Sequence, residues 1–172
     1  KPPKRVLYCY GIYQSLYDEM ERYYPFITFH HGLPDEDMLK TFSSVSEHVL
    51  VVIDDQMHEV GKNKDIELLF TQRAHHMNYS VIFVVQNLFQ KHMRNVSLNF
   101  SCIVLFKHLR DVGQISCLAR QIYGKNANRF VCAYEDAVSK PYGYLVVDLS
   151  PHANDRVRLK TCIFPDDEFV YK

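Results

Sequence analysis

The feature that most constrains the fold is the aliphatic run at residues 49–53, which ends in two adjacent carboxylates, Asp54 and Asp55. A continuous run of Val, Leu and Ile without polar alternation predicts a strand buried on both faces, as at the centre of a parallel α/β sheet. Such sheets bind ligands in the crevice beyond the carboxyl ends of their strands. The two acids therefore mark a candidate site, although a buried strand followed by an acidic turn explains the same residues.

Three further runs predict strands that accompany this one. Residues 5–10 form a β-prone run, and the apolar runs at 80–85 and 102–106 predict two more buried strands. The run at 80–85 ends in Gln86, and the run at 102–106 is followed by a polar stretch that includes Arg110. We therefore expect polar side chains from several strands to follow the carboxyl ends of the sheet.

The segments between the strands carry apolar residues at helical spacing, as Ile12, Leu16 and Met20 do after the first strand. Near the end of the chain the pattern changes to two β-prone runs, 144–149 and 157–163, of which the second alternates apolar and polar residues. This predicts a half-exposed hairpin at the edge of the sheet. The predicted fold is α/β: a P-loop NTPase-like, mainly parallel sheet flanked by helices, with a carboxyl-terminal β-hairpin.

The bulk composition narrows the possible functions. A chain of 172 residues with 47% hydrophobic and 23% charged residues predicts one globular domain spanning residues 1–172. Its formal net charge of zero removes the simplest argument for nucleic-acid binding, a bulk positive field. The five cysteines form no Cys-x-x-Cys pair, which favours reduced thiols and an intracellular setting. No apolar stretch approaches the length of a membrane span, so we expect no membrane partner.

The order of strands, helices and polar strand ends is the one expected of a P-loop NTPase core. In such a site one acid, here Asp54, holds Mg²⁺ directly or through water. A second acid, here Asp55, polarises the attacking water, and an amide such as Gln86 orients that water or senses the γ-phosphate. The simpler interpretation of Gln86 is a strand-end amide that bonds to backbone.

Six segments resemble the FtsK/HerA-like DNA-packaging ATPases of eukaryotic DNA viruses and of Polinton/Maverick transposons. They are VLVVIDDQM at 49–57, LLFTQRAHHMN at 68–78, SVIFVVQNLF at 80–89, LFKHLRD at 105–111, QISCLARQIY at 114–123 and SKPYGYL at 139–145. The similarity spans nearly the whole chain, and six motifs in this order are more specific than a single acidic strand end.

This resemblance implies an ATP-driven motor that threads double-stranded DNA into a preformed capsid. It implies ATP and Mg²⁺ as cofactors, a homo-oligomeric ring, a capsid or portal protein as partner, and action at the virion assembly site in the host nucleus or cytoplasm. It carries Asp54 over as the Walker B magnesium residue, Asp55 as the catalytic carboxylate and Gln86 as the strand-end sensor.

Two arginines are candidates for an arginine finger that reaches the nucleotide of a neighbouring subunit. Arg110 follows the predicted strand at 102–106, and Arg73 lies in the predicted helix that precedes residue 80. The simpler interpretation of either residue is a solvated side chain or a surface ion pair.

The phosphate-binding loop of P-loop NTPases, Gly-x-x-x-x-Gly-Lys-Ser/Thr, does not occur in the 172 residues. In the family this loop precedes the strand that we place at 5–10, so we expect it upstream of residue 1. The chain is then a carboxyl-terminal portion of the ATPase. By itself we expect it neither to bind ATP tightly nor to hydrolyse it.

Two alternatives remain open at this stage. The first is a non-catalytic, degenerate copy that keeps the fold and serves as an assembly or binding module. The second is a helicase or DNA-pumping ATPase of the same superfamily that has no capsid partner. An intact phosphate-binding loop ahead of residue 1 favours a motor over the degenerate copy, whereas the motifs quoted above do not separate the two kinds of motor.

Overall fold

The computed structural model describes residues 2–42, 48–56, 78–89, 94–110, 112–164 and 167–172. The chain divides into two compact units, Lys1–Asn99 and Phe100–Lys172. The fold is mixed α/β, with a parallel sheet in the first unit and an antiparallel sheet in the second. Within the described residues, no helix is long and apolar enough to cross a membrane.

The first unit is built on four parallel strands in the order β2-β1-β3-β4. The strands are β1 (Arg5–Tyr10), β2 (Ile27–His31), β3 (Val49–Asp54) and β4 (Tyr79–Val84). Its described helices are α1 (Leu16–Tyr23), α2 (Glu36–Phe42) and the short α3 (Arg94–Ser97). The predicted parallel sheet is therefore present, and the predicted helix before residue 78 lies outside the described residues.

Strand β3 is the buried centre that the aliphatic run predicts. Val49, Val51 and Ile53 are fully buried, and Val52 is 8% exposed, so both faces of the strand are covered. Strands β1 and β4 hydrogen-bond to its two edges, so β3 is also an interior strand of the sheet. Burial of this kind contributes about 1.5–3 kcal/mol for each large aliphatic side chain, which makes β3 a main source of stability in this unit.

Helix α1 buries a different residue from those that the helical spacing predicted. Leu16 is 53% exposed and Ile12 is 72% exposed, whereas Tyr17 is 5% exposed. The Tyr17 ring stacks on Phe29 of β2, with the ring centroids 4.9 Å apart. The predicted helix is present, but it begins only at Leu16, so Ile12 precedes it. An aromatic ring then covers the sheet in place of the aliphatic stripe.

The second unit is an antiparallel sheet with two helices. Its strands are β5 (Cys102–Phe106), β6 (Tyr144–Asp148), β7 (Leu159–Thr161) and β8 (Phe169–Tyr171), in the order β5-β6-β7-β8. Its helices are α4 (Val112–Tyr123) and α5 (Ala127–Ala137). Phe130, Leu145 and Leu159 are fully buried and form the centre of this unit.

Three strand predictions need correction. The runs at 80–85 and 102–106 were predicted as buried strands, but β4 and β5 are edge strands of their sheets. Each exposes apolar side chains: Ile82 is 48% and Phe106 is 61% exposed. The predicted antiparallel pair is present as β6 and β7, but its edge position is wrong. The pair lies in the interior of a separate antiparallel sheet, where β5 and β8 flank it. Apolar composition alone does not distinguish an edge strand from a central one.

Candidate functional site

Asp54 is the last residue of the central strand β3 and lies at the carboxyl edge of the parallel sheet. It stands level with Tyr10 on β1 and with Val84 on β4. The side chain is partly exposed, while Ile53 before it is fully buried. The buried strand therefore ends at the point where its first carboxylate reaches solvent, in the position that ligand sites of parallel sheets occupy.

Asp55 ends the strand by adopting a left-handed backbone conformation, with φ of +53°. Aspartate is one of the few non-glycine residues that tolerate this conformation. Gly11, which follows β1, approaches closely here: its N–H donates to the Asp54 carbonyl oxygen at 3.3 Å. A Cβ atom on Gly11 would lie 2.9 Å from the Asp55 carbonyl oxygen. The backbone of Asp55 is therefore in close contact with residue 11, where only glycine fits, while its carboxylate is exposed.

Gln86 follows β4 on the same edge. Val84 is paired with Asp54, so Gln86 lies two residues beyond the level of Asp54 on the neighbouring strand, in an exposed position. The parallel pairing of β3 with β4 therefore brings the ends that carry Asp54, Asp55 and Gln86 to one edge, as the sequence predicts. The chemical roles of these residues remain predictions.

Neither arginine candidate can be assigned to this edge of the parallel sheet. Arg110 belongs to the second unit, where it is exposed in the turn after β5. Arg73 lies outside the described residues. The arginine-finger prediction accordingly stays a prediction for both.

A cluster of tyrosines at this edge was missed by the sequence reasoning. The Tyr8 hydroxyl donates to Asp54 Oδ2 at 2.8 Å. The Tyr8 ring lies 5.5 Å from that of Tyr17, and Tyr10 lies 4.9 Å from Tyr17, measured between centroids. The sequence did contain a signal, because Tyr8 and Tyr10 are two residues apart on β1 and their rings therefore lie on the same face of the sheet. Asp54 lies on that face too, since it is paired with Tyr10.

The surroundings of Tyr8 and Tyr17 in this cluster favour the protonated hydroxyl. Burial raises the pKa of the Tyr8 hydroxyl above that of an ordinary tyrosine, and the hydrogen bond to Asp54 raises it further. Burial also raises the pKa of Tyr17, and the negative charge of Asp54 adds to that effect. Tyr8 is therefore a hydrogen-bond donor that holds one oxygen of the Asp54 carboxylate in a fixed place.

Removing the Tyr8 hydroxyl is expected to cost about 1 kcal/mol of unfolding free energy, the usual contribution of one hydrogen bond. The folded-state pKa is raised, so the stabilisation is complete below the ordinary tyrosine value of 10.0 and is lost as the pH rises above it. Urea unfolding of Tyr8→Phe and of the unsubstituted 172-residue chain between pH 7 and 11 measures both effects. We expect Tyr8→Phe to be less stable at pH 7 and to lose less stability above pH 10.

Tyr23→Phe is the matched control, because Tyr23 is 78% exposed at the end of α1. It should leave the stability at pH 7 unchanged. Equal stability of Tyr8→Phe and the unsubstituted chain at pH 7 would show that the hydroxyl does not hold Asp54.

The residues at this edge suit a metal that arrives with a nucleotide better than a metal held by protein alone. Among the described residues, no group of three or more His, Cys, Asp or Glu side chains is placed to hold an ion. Mg²⁺ in nucleotide sites needs only one or two carboxylates, because phosphates and water supply its other ligands. Asp54 meets that requirement.

Gln56, which directly follows the two carboxylates, has a donor that no described residue satisfies. The residue is 5% exposed, and its Nε2 atom has no hydrogen-bond acceptor among the described residues. A buried donor left unpaired costs free energy until an acceptor oxygen reaches it. This orphaned amide fits the presence of an oxygen-rich group, such as a phosphate, beside the strand end.

The chain was compared with protein-family models, with curated proteins and with solved structures. No family model matches it, and no curated protein or solved structure is significantly similar. The case for a function therefore depends on the residues and geometry described above.

Proposed function

We propose that this chain is part of an FtsK/HerA-like ATPase that uses ATP to package double-stranded DNA into a capsid. The observation that carries the proposal is the parallel pairing of β1, β3 and β4, which collects Asp54, Asp55 and Gln86 at one carboxyl edge. Strand-end carboxylates alone occur in many nucleotide-dependent enzymes. We therefore propose DNA and a capsid as partners from the resemblance of the six sequence motifs.

In this proposal each residue at the edge has one task. Asp54, oriented by the Tyr8 hydroxyl, holds Mg²⁺, and the bound ion neutralises charge on the phosphates of ATP. Asp55 polarises the attacking water, and its exposed position leaves it accessible to that water. Gln86 orients the same water from the neighbouring strand. Arg110 serves as the arginine finger for an adjacent subunit of a homo-oligomeric ring.

The proposed packaging function also implies a partner protein and a place of action in the host cell. A capsid or portal protein would receive the DNA, and the motor would work inside the host cell where virions assemble. The decisive experiment uses this chain within the longer ATPase that we propose, called the parent protein below. ATP-dependent uptake of duplex DNA by capsids supports packaging, whereas ATP-dependent strand separation without uptake identifies a helicase.

The 172-residue chain alone is expected to release no phosphate from ATP above the buffer background. The reason is that its sequence has no Gly-x-x-x-x-Gly-Lys-Ser/Thr loop to hold the β- and γ-phosphates. Phosphate release from Mg-ATP, followed by a colorimetric assay over hours, measures this. Turnover by the purified chain that disappears in Asp55→Asn would contradict the expectation, since it would require a complete site within these residues.

The absence of the loop from these 172 residues is also compatible with a second candidate, a degenerate copy that acts as an assembly module. Such a module would bind a capsid component equally well with and without ATP. It would also tolerate Asp54→Asn and Asp55→Asn without loss of that binding. Hydrolysis by the parent protein that depends on both acids excludes this candidate.

A further inference from the structure

A tight turn in the second unit holds an exposed tyrosine in an unfavourable backbone conformation. The turn spans Lys140 to Gly143 and is closed by the Gly143 N–H, which donates to the Lys140 carbonyl oxygen at 3.0 Å. Pro141 occupies the second position, and Tyr142 occupies the third with φ of +60°. Turns of this kind, type II, favour Gly or Asn at the third position, and a bulky residue there is an outlier.

Within the described part of the chain, Tyr142 gains little that would compensate for this strain. Its side chain is 96% exposed, so it gains almost no stabilisation from burial. Strained conformations persist mainly where a function requires them, and the inference runs from the observed outlier to the function. A tyrosine that is both strained and fully exposed is therefore a candidate for contact with a molecule outside the chain.

Tyr142 lies on the rim of a shallow groove of about 350 Å³. The groove is formed by residues 139–143 together with Phe106 and Lys107. The antiparallel pairing of Phe106 with Tyr144 explains this neighbourhood, because the residue after β5 then faces the residues that precede β6. Two lysines, Lys107 and Lys140, line the groove, and no acidic residue is among its described lining residues.

The wall that carries Lys107 is fixed in place by helix α5. The hydroxyl of the buried Tyr134 donates to the Phe106 carbonyl oxygen at 3.0 Å and accepts from the His108 N–H at 3.2 Å. Phe106 itself is 61% exposed, so a second aromatic face is open beside the lysine. The groove is thus lined by two lysines, Lys107 and Lys140, and by two exposed aromatic rings, those of Phe106 and Tyr142.

We propose that this groove binds an unpaired segment of DNA, with phosphates on Lys107 and Lys140 and a base stacked on Tyr142. Proteins that bind single strands combine these two elements, cations that follow the backbone and aromatic rings that receive bases. A single strand uses both features of the groove, whereas an acidic peptide without aromatic residues uses only the lysines. The proposal requires neither ATP hydrolysis nor a capsid, and it therefore goes beyond the proposed motor.

The test measures binding of a fluorescent 20-nucleotide single strand to the 172-residue chain by anisotropy, as a function of salt. Tyr142→Gly is expected to weaken binding by about tenfold through lost stacking. The same variant should raise the melting temperature by about 2 °C, because glycine accepts a positive φ without strain. Lys107→Gln and Lys140→Gln should each lower the slope of log affinity against log salt by about 0.7, one phosphate contact each.

Two controls make the result specific. Lys125→Gln removes an exposed lysine away from the groove, and Tyr23→Ser removes an exposed tyrosine from the first unit. Neither should change the affinity or its salt dependence. An intact duplex of the same length should bind more weakly and should respond less than twofold to Tyr142→Gly, because its bases are already stacked.

Three results would overturn the proposal. The first is equal binding by Tyr142→Gly and the unsubstituted chain, and the second is a melting temperature of Tyr142→Gly several degrees below that of the unsubstituted chain. The third is competition by poly-glutamate as strong as that by DNA, which would identify the groove as a general anion site. Loss of ATPase activity in Asp55→Asn parent protein with DNA binding intact separates this groove from the proposed hydrolytic site.

Discussion

Asp55→Asn in the parent protein is expected to reduce ATP hydrolysis at least about 100-fold while leaving the dissociation constant for ATP unchanged. A residue that assists proton transfer from the attacking water typically contributes 10²- to 10⁴-fold to the rate. Asparagine keeps the size of the side chain but removes the carboxylate charge. Single-turnover phosphate release and titration with a fluorescent ATP analogue measure the two quantities separately.

The backbone at Asp55 decides which variant is informative. With φ of +53°, the position accepts Asn with little strain, whereas Ala there would add strain to the loss of the carboxylate. Asp55→Asn therefore isolates the chemistry, and Asp55→Ala does not. Asp37→Asn is the matched control, because the Asp37 side chain on α2 is 95% exposed and its nearest ion pair is 3.8 Å long. A parallel loss of ATP binding and hydrolysis in Asp55→Asn would show that Asp55 binds the nucleotide and does not activate water.

Gly143→Ala is expected to destabilise the chain by about 3 kcal/mol or more, within the range of severe single substitutions. A Cβ atom at this position would lie 2.3 Å from the Ala137 carbonyl oxygen and 3.0 Å from that of Lys140. Both contacts are to backbone, so no side-chain rotation relieves them. The end of α5 and the start of β6 would have to separate, which would expose the buried Leu145.

Gly32→Ala provides the comparison that separates steric conflict from backbone strain. Gly32 has φ of +91°, but no atom lies within 4 Å of the position that its Cβ would take. Its substitution should cost about 1 kcal/mol, from conformational strain alone. Urea unfolding of the two variants gives the difference directly. Equal costs for Gly32→Ala and Gly143→Ala would mean that the turn at 140–143 relaxes more easily than its contacts indicate.

The strands and helices of this chain were largely predictable where burial and periodicity agree. The run at 49–53 became the buried centre of a parallel sheet, and a helix follows β1 as the helical spacing of apolar residues indicates. Position within a sheet was not predictable, because an edge strand and a central strand have the same apolar composition. For that reason the exposure of Ile82 and Phe106 became evident only in the structure.

The candidate site was predictable to a similar extent. Parallel strands put their carboxyl ends at one edge, so Asp54 and Gln86 could be assigned to a common edge from order alone. The Tyr8 bond to Asp54 joins residues 46 positions apart, and no local pattern contains such a pairing. The same holds for Phe106 and Lys140 around the groove, which come together through the pairing of β5 with β6.

By itself, therefore, the sequence determined the aliphatic strand, its two terminal carboxylates and the amide that follows the next strand, because hydrophobic burial and strand order act along the chain. The tertiary structure alone decided which atoms hold Asp54, why Asp55 and Tyr142 lie in left-handed conformations, and which lysines share a groove. The physical reason is that side-chain hydrogen bonds and close backbone contacts depend on distances in space between residues far apart in the chain.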